Sequence, residues 1–281
     1  MFSTIIIIVI VAIVLFFIFR KPISQSNQTS KETSHNKRGI GGAFKWIGGG
    51  LGWAYGGPLG AILGFALGKM FEGLGGKDQG FEYMGATEQQ RDFNGSLLVL
   101  SAAVMKADGI IRKSELDFVK HFFLTNFGQQ RAEKYILTLR EILKQDINVR
   151  EVSLQIGQNM DYSSKLQLLH YLFGIASADG LVSEMEMNVL RQISTYMGIS
   201  NTDMESIKAM FVQEVDSSYK ILEIDENATD DEVKKAYREM AKKYHPDKVS
   251  HLGDDVRKAA EEKLQQVNAA YDKIKKKRGI V

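Results

Sequence analysis

The sequence predicts an almost all-helical protein, on three observations. Only three prolines occur in 281 residues, at positions 22, 58 and 246, so long helices can run between them without a break. From residue 86 onward apolar residues recur at helical spacing, as in Leu97, Leu98, Leu100 with Val104 and in Leu166, Leu168, Leu169 with Leu172. Thr229-Asp-Asp-Glu232 is a capping box, which starts a helix at Asp230 by pairing the threonine oxygen and the glutamate with the first free amides.

A chain of 281 residues exceeds the usual size of one domain, so it is expected to hold two or more packed units plus a targeting segment. A formal net charge of +2 is too small to argue for nucleic acid as a partner. The absence of cysteine removes disulfides, thiol nucleophiles and cysteine-ligated zinc, and the five histidines are scattered without metal-ligand spacing. No cofactor is implied.

The first element is a membrane anchor over residues 1–21. Phe2 to Phe19 is almost wholly apolar, with Ser3 and Thr4 its only weakly polar members, and that length just suffices to cross a bilayer. A signal peptide is the rival reading, but no basic stretch precedes the run and no small-residue cleavage pattern follows it. Arg20, Lys21, Lys31, Lys37 and Arg38 place the following side in the cytoplasm, against the inner membrane. Residues 22–38, rich in Ser, Gln, Asn, Thr and Lys, read as a polar tether.

Residues 39–76 form a glycine-rich apolar segment. Gly48, Gly52, Gly56, Gly60, Gly64 and Gly68 stand at every fourth position among Trp46, Leu51, Trp53, Leu59, Leu63 and Leu67. Small residues at this spacing let helices approach closely in lipid, so membrane association and self-association through Gly52, Gly56, Gly60, Gly64 and Gly68 are expected. Gly56, Gly57 and Pro58 supply the break for a hairpin as an alternative. The topology has two solutions: this segment dips and returns, or the first segment is inverted.

Residues 86–215 form a separate helical domain with an internal repeat. Lys106-Ala-Asp-Gly-Ile-Ile-Arg-Lys-Ser-Glu115 is echoed by Ser177-Ala-Asp-Gly-Leu-Val-Ser-Glu-Met-Glu186, which implies two similar helix-turn-helix units. Each copy is like the second half of a calcium loop. Val104 and Lys106, and Ile175 and Ser177, stand where the leading carboxylates belong, so an oxygen cage does not close. The structural reading has Gly109 and Gly180 end a helix while Asp108 and Asp179 stabilise the turn. The repeat resembles the TerB-like family, which implies an interaction module and a weak ion site at Asp108, Glu115, Asp179 and Glu186.

The last unit covers residues 216–281. Val233, Ala236, Tyr237, Met240, Ala241 and Tyr244 make a buried stripe on the helix from Asp230, while Lys234, Lys235, Arg238, Lys242 and Lys243 project to its other faces. Pro246 stops that helix and leaves His245 and Asp247 in a loop. A second helix with Ala260, Leu264, Val267, Tyr271 and Ile274 provides an antiparallel partner. Tyr219-Lys-Ile-Leu222, Lys234-Lys-Ala-Tyr-Arg238, Tyr244-His-Pro-Asp-Lys248 and Asn268-Ala-Ala-Tyr271 together resemble the J domain of the DnaJ family. The resemblance implies a helical hairpin whose trigger loop is His245, Pro246 and Asp247. It also implies that Lys234, Tyr237, Arg238 and Lys248 meet an acidic surface on a DnaK-type, ATP-driven chaperone. Glu239 departs from the pattern, since many family members are basic there.

Anchor, glycine segment, TerB-like domain and terminal J domain together resemble the DjlA-like membrane J proteins. That resemblance implies a membrane-anchored co-chaperone that is not itself an enzyme but stimulates its partner's ATP hydrolysis. The alternative is a membrane stress sensor or scaffold acting through the TerB-like domain.

Overall fold

The structure, a computed structural model, describes residues 41–74, 84–212 and 217–279. The anchor expected over 1–21 and the tether over 22–38 lie outside the described residues. Those described are helices and turns with no strand. Their order is α1 (Gly41–Leu74), α2 (Glu88–Met105), α3 (Lys113–Ile142), α4 (Val149–Asn159), α5 (Tyr162–Ala176), α6 (Glu184–Tyr196) and α7 (Asn201–Phe211). Then follow α8 (Ser217–Ile221), α9 (Asp230–Lys243), a 3-10 turn (Pro246–Leu252) and α10 (Asp254–Arg278).

The glycine segment is the hairpin alternative. Gly57 sits in the left-handed region at φ 56° and divides α1 into two arms, and Pro58 opens the second, where its missing amide hydrogen costs no helical bond. The glycines face each other across the arms. A Cβ built on Gly52 would lie 2.0 Å from the Gly60 carbonyl oxygen, and one on Gly64 would lie 2.2 Å from that of Gly48. Gln155 of α4 clasps the bend, its Nε2 donating to the Gly56 oxygen at 2.8 Å and its Oε1 accepting from the Leu59 amide at 2.9 Å. Leu59, Leu63, Ala66 and Leu67 of the second arm are buried, with α2, α3 and α4 against them. Leu51 and Trp53 of the first arm stay more than half exposed, at 57% and 56%. Among the described residues no helix is long and apolar enough to cross a membrane.

The repeat unit appears twice, as α2–α3 and α5–α6. The central helices α2 and α5 pack on each other and are buried around most of their circumference, from Phe93 to Met105 and from Ser164 to Ala176 apart from His170, as expected of helices inside a bundle. Their starts are fixed by Thr87 with Gln90 and by Asp161, which accepts from the Ser164 amide at 3.0 Å. Phe122, Phe123, Phe127, Tyr135 and Tyr171 form an aromatic cluster between them and α3, with ring centroids from 4.3 to 6.4 Å apart.

In the last unit α9 and α10 form the antiparallel hairpin. Val233, Ala236 and Met240 of α9 meet Val256, Ala260, Val267, Ala270 and Ile274 of α10 in its core. The short α8 packs against α7 and α10, and Tyr219 and Leu222 close the end of the small core.

Candidate functional site

The site is built where α9 stops. Its start is fixed by the capping box, the Glu232 amide donating to Thr229 Oγ1 at 3.3 Å and the Thr229 amide to Glu232 Oε2 at 2.7 Å. Pro246 then begins the 3-10 turn, with His245 as its cap. His245 Nδ1 accepts from the Asp247 amide at 3.2 Å and lies 3.6 Å from Asp247 Oδ2. This bond leaves the proton of a neutral imidazole on Nε2. Inside and outside alternate along the turn: Pro246, Val249 and Leu252 are buried, while the side chains of His245 and Asp247 are 53% and 78% exposed. Burial of the first set holds the second in place.

Ala241, Lys242, His245, Asp247 and Lys248 line a shallow groove at this end of α9. Lys248, Arg238 and Lys242 are exposed beside it and Lys234 is half-buried, so the groove has a basic border. Glu239 lies on the same outer surface, 4.0 Å from Lys235. Two residues of the stripe and the basic set face elsewhere. Tyr237 stacks on Tyr271 at 4.1 Å between centroids and donates to Asn268 Oδ1 at 3.1 Å, so it belongs to the seam of the hairpin. Lys243 turns inward, 2.6 Å from Asp203 of α7 and 2.7 Å from Glu223.

That inward turn belongs to a polar seam between α5–α7 and the J-like unit. Lys263 of α10 is buried, donates to the Leu166 carbonyl at 3.1 Å and lies 3.8 Å over the Tyr244 ring. Burial pushes its pKa well below the usual lysine range. His170 faces Gln266 at 3.2 Å and is held down to about 3 by burial and by Lys263. Burial raises the Asp203 carboxyl, but hydrogen bonds from Lys243, Ser200 and Tyr162 outweigh it and hold the group below the carboxylate range. The sequence offered no sign of this seam, because Lys263 meets a backbone carbonyl and a solvated-looking Glu-Glu-Lys run carries it.

The four acidic candidates are brought together, but around a cation of the chain itself. Arg112 lies 2.6 Å from Asp108, 3.5 Å from Asp179 and 4.0 Å from Glu186. Asp108 and Asp179 accept from the Ile110 and Leu181 amides at 2.9 and 3.1 Å, and Gly109 and Gly180 take φ values of 79° and 88°, so these residues make the turns. Glu115 and Glu186 accept from the Arg112 and Ser183 amides, each at 2.7 Å, as helix caps. Among the described residues no group of three or more His, Asp or Glu side chains is arranged to hold a metal ion.

Residues 95–209 match the family model of the tellurite resistance protein TerB, and residues 217–279 match that of the DnaJ domain. Relatives carrying the name co-chaperone protein DjlA match across both regions. That of Coxiella burnetii is 27% identical over 266 residues, covering 84% of this chain and 98% of the relative. The chain is a DjlA-like J-domain protein with a TerB-like middle domain. The DjlA of Pasteurella multocida is likewise 27% identical, over 84% of this chain and 98% of its own length. The chaperone protein DnaJ of Fusobacterium nucleatum is 49% identical over 53 residues, 19% of this chain and 14% of that protein. No solved structure matches the chain.

Proposed function

We propose that this DjlA-like protein is a membrane-anchored J-domain co-chaperone that binds a DnaK-type chaperone and stimulates its ATP hydrolysis. One observation carries the reading. His245 and Asp247 project from a turn whose Pro246, Val249 and Leu252 are buried, next to the basic surface of Arg238, Lys242 and Lys248. Polar groups held outward by buried neighbours suit a contact with another protein. The chain has no hydrolytic chemistry of its own in this reading, and its contact biases the conformational equilibrium of the partner, which performs the reaction. The apolar run from Phe2 to Phe19 is the proposed anchor, with the TerB-like and J domains on the cytoplasmic side. Gly52, Gly60 and Gly64 serve first to close the α1 hairpin, and the exposed Leu51 and Trp53 are the surface through which that hairpin would meet lipid or a second copy. An ion-sensing role for the TerB-like domain has less support, because Arg112 already supplies the cation between Asp108, Asp179 and Glu186.

The test is single-turnover ATP hydrolysis by a DnaK-type chaperone with the full chain in detergent. The wild type should accelerate it, and His245→Gln and Asp247→Asn should not, while melting temperatures stay close to wild type because both side chains are exposed. Equal acceleration by all three proteins would sink the reading.

A further inference from the structure

We propose that the TerB-like domain positions the trigger turn, with His251 and Asp161 as the positioning pair. The inference rests on the co-chaperone reading for its consequence and on the geometry for its substance. The 3-10 turn that displays His245 and Asp247 does not stand free. Its far end packs against α2 and α5 of the TerB-like domain. His251 Nε2 lies 3.1 Å from Asp161 Oδ2 and 3.4 Å from Ser164 Oγ. Leu252 beside it is buried. Gly253, at φ 103°, then comes so close to α2 that a Cβ on it would be 3.3 Å from Gln90 Nε2. The same Gln90 side chain reaches the His251 carbonyl at 3.5 Å.

The pair is well placed to transmit position. Asp161 caps α5, so its carboxylate is fixed by the helix it starts. His251 is the sixth residue of a seven-residue turn, and a turn that short has few internal degrees of freedom. Fixing His251 therefore restricts the far end, where His245 and Asp247 are. The seat is not packed solid, for a cavity of about 370 Å³ opens beside it, bordered by Leu59, Ile156, Asp161, His251 and Leu252. Pro246, Val249 and Leu252 seat the turn in its own hairpin, and the polar contacts of His251 fix the end that faces the TerB-like domain.

A turn held in its binding orientation loses none of its affinity to alternatives, whereas a released one binds in proportion to the fraction still correctly placed. Two full-length variants separate this from a merely structural role. His251→Ala removes the contact, and Asp161→Asn removes the charge while keeping the helix cap. In titrations of a DnaK-type chaperone each variant should raise the half-maximal concentration roughly two- to fivefold, the range of one exposed polar contact, and leave maximal stimulation unchanged. The double variant should be no worse than the more affected single one, because both changes remove one shared interaction. Amide hydrogen exchange across Asp247–Leu252, measured with no chaperone present, should be faster in both. Unchanged exchange overturns the proposal, and so does an unchanged half-maximal concentration in both variants beside a stimulating wild type. A wild type that does not stimulate overturns the co-chaperone reading alone, and exchange then decides the positioning by itself.

Discussion

Glu115 and Glu186 close the amides of Arg112 and Ser183 in the two repeat units, and both are buried behind Arg112. Burial, joined by a hydrogen bond and charge from Glu186, pushes the Glu115 carboxyl up from 4.5 to about 7. A carboxyl whose folded value is raised favours the fold when protonated. Its contribution is therefore complete below about pH 4.5 and disappears as pH rises through about 7. Glu115→Gln keeps an oxygen for the Arg112 amide and cannot ionise, so the variant should melt higher than wild type at about pH 8 and match it at about pH 4. Thermal melts at the two values check this, and a difference that does not depend on pH would show that the carboxyl is not titrating in the fold. The sequence made part of this site legible. The Asp-Gly turns follow from local chemistry and appear where expected, whereas the capping box of Ser183 and Glu186 was not read from the sequence although its signal is equally local. The role of Arg112 did not, because its bonds to Asp179 and Glu186 cross from one repeat unit to the other, and nothing in a linear spacing encodes that pairing.

The glycine hairpin is the element whose energetics are most unequal from residue to residue. A Cβ on Gly52 would lie 2.0 Å from backbone, whereas one on Gly50 would meet nothing within 4 Å. Gly52→Ala should therefore destabilise by about 1–3 kcal/mol through overpacking, while Gly50→Ala should stabilise by up to about 1 kcal/mol through helix propensity alone. Denaturant unfolding of the two variants reads both signs, and equal effects would mean that the arms do not touch at Gly52. Spacing alone foretold close helix approach but not its partner. Four-residue glycine steps suit a neighbour from the same chain or from another, and the choice here lies in Gly57 at φ 56° and in Gln155, 96 residues away from Leu59, which bonds both sides of the bend. In α9 the reading was more complete, because a capping box, an apolar stripe and a proline stop are all local signals. Lys243 escaped it for the opposite reason, since Asp203 lies on a different domain.

Across the whole molecule the J domain presents one surface outward and commits the other to the TerB-like domain. Lys243, Lys263, His251 and the Arg131–Asp255 pair at 2.7 Å lie on the committed side, and Lys234, Arg238 and Lys248 do not. The free set is available for long-range attraction to an acidic partner. Replacing Lys234 and Arg238 together with alanine should raise the half-maximal concentration for chaperone stimulation, and the ratio to wild type should shrink between about 0.01 and 0.15 M salt, as the screening length falls from about 30 to 8 Å. A ratio independent of salt would assign these side chains to short-range contact instead. Domain order was readable from the sequence, whereas the docking was not, because its polar bonds join groups that look solvated in isolation. The docking also bears on biosynthesis. A ribosome releases α2–α7 before α9 and α10, so the Leu166 carbonyl and the Asp203 carboxylate leave it before Lys263 and Lys243, the groups they dock. Until α9 and α10 have emerged, those two groups lack their J-domain partners, so the polar docking bonds are among the last contacts this chain can make.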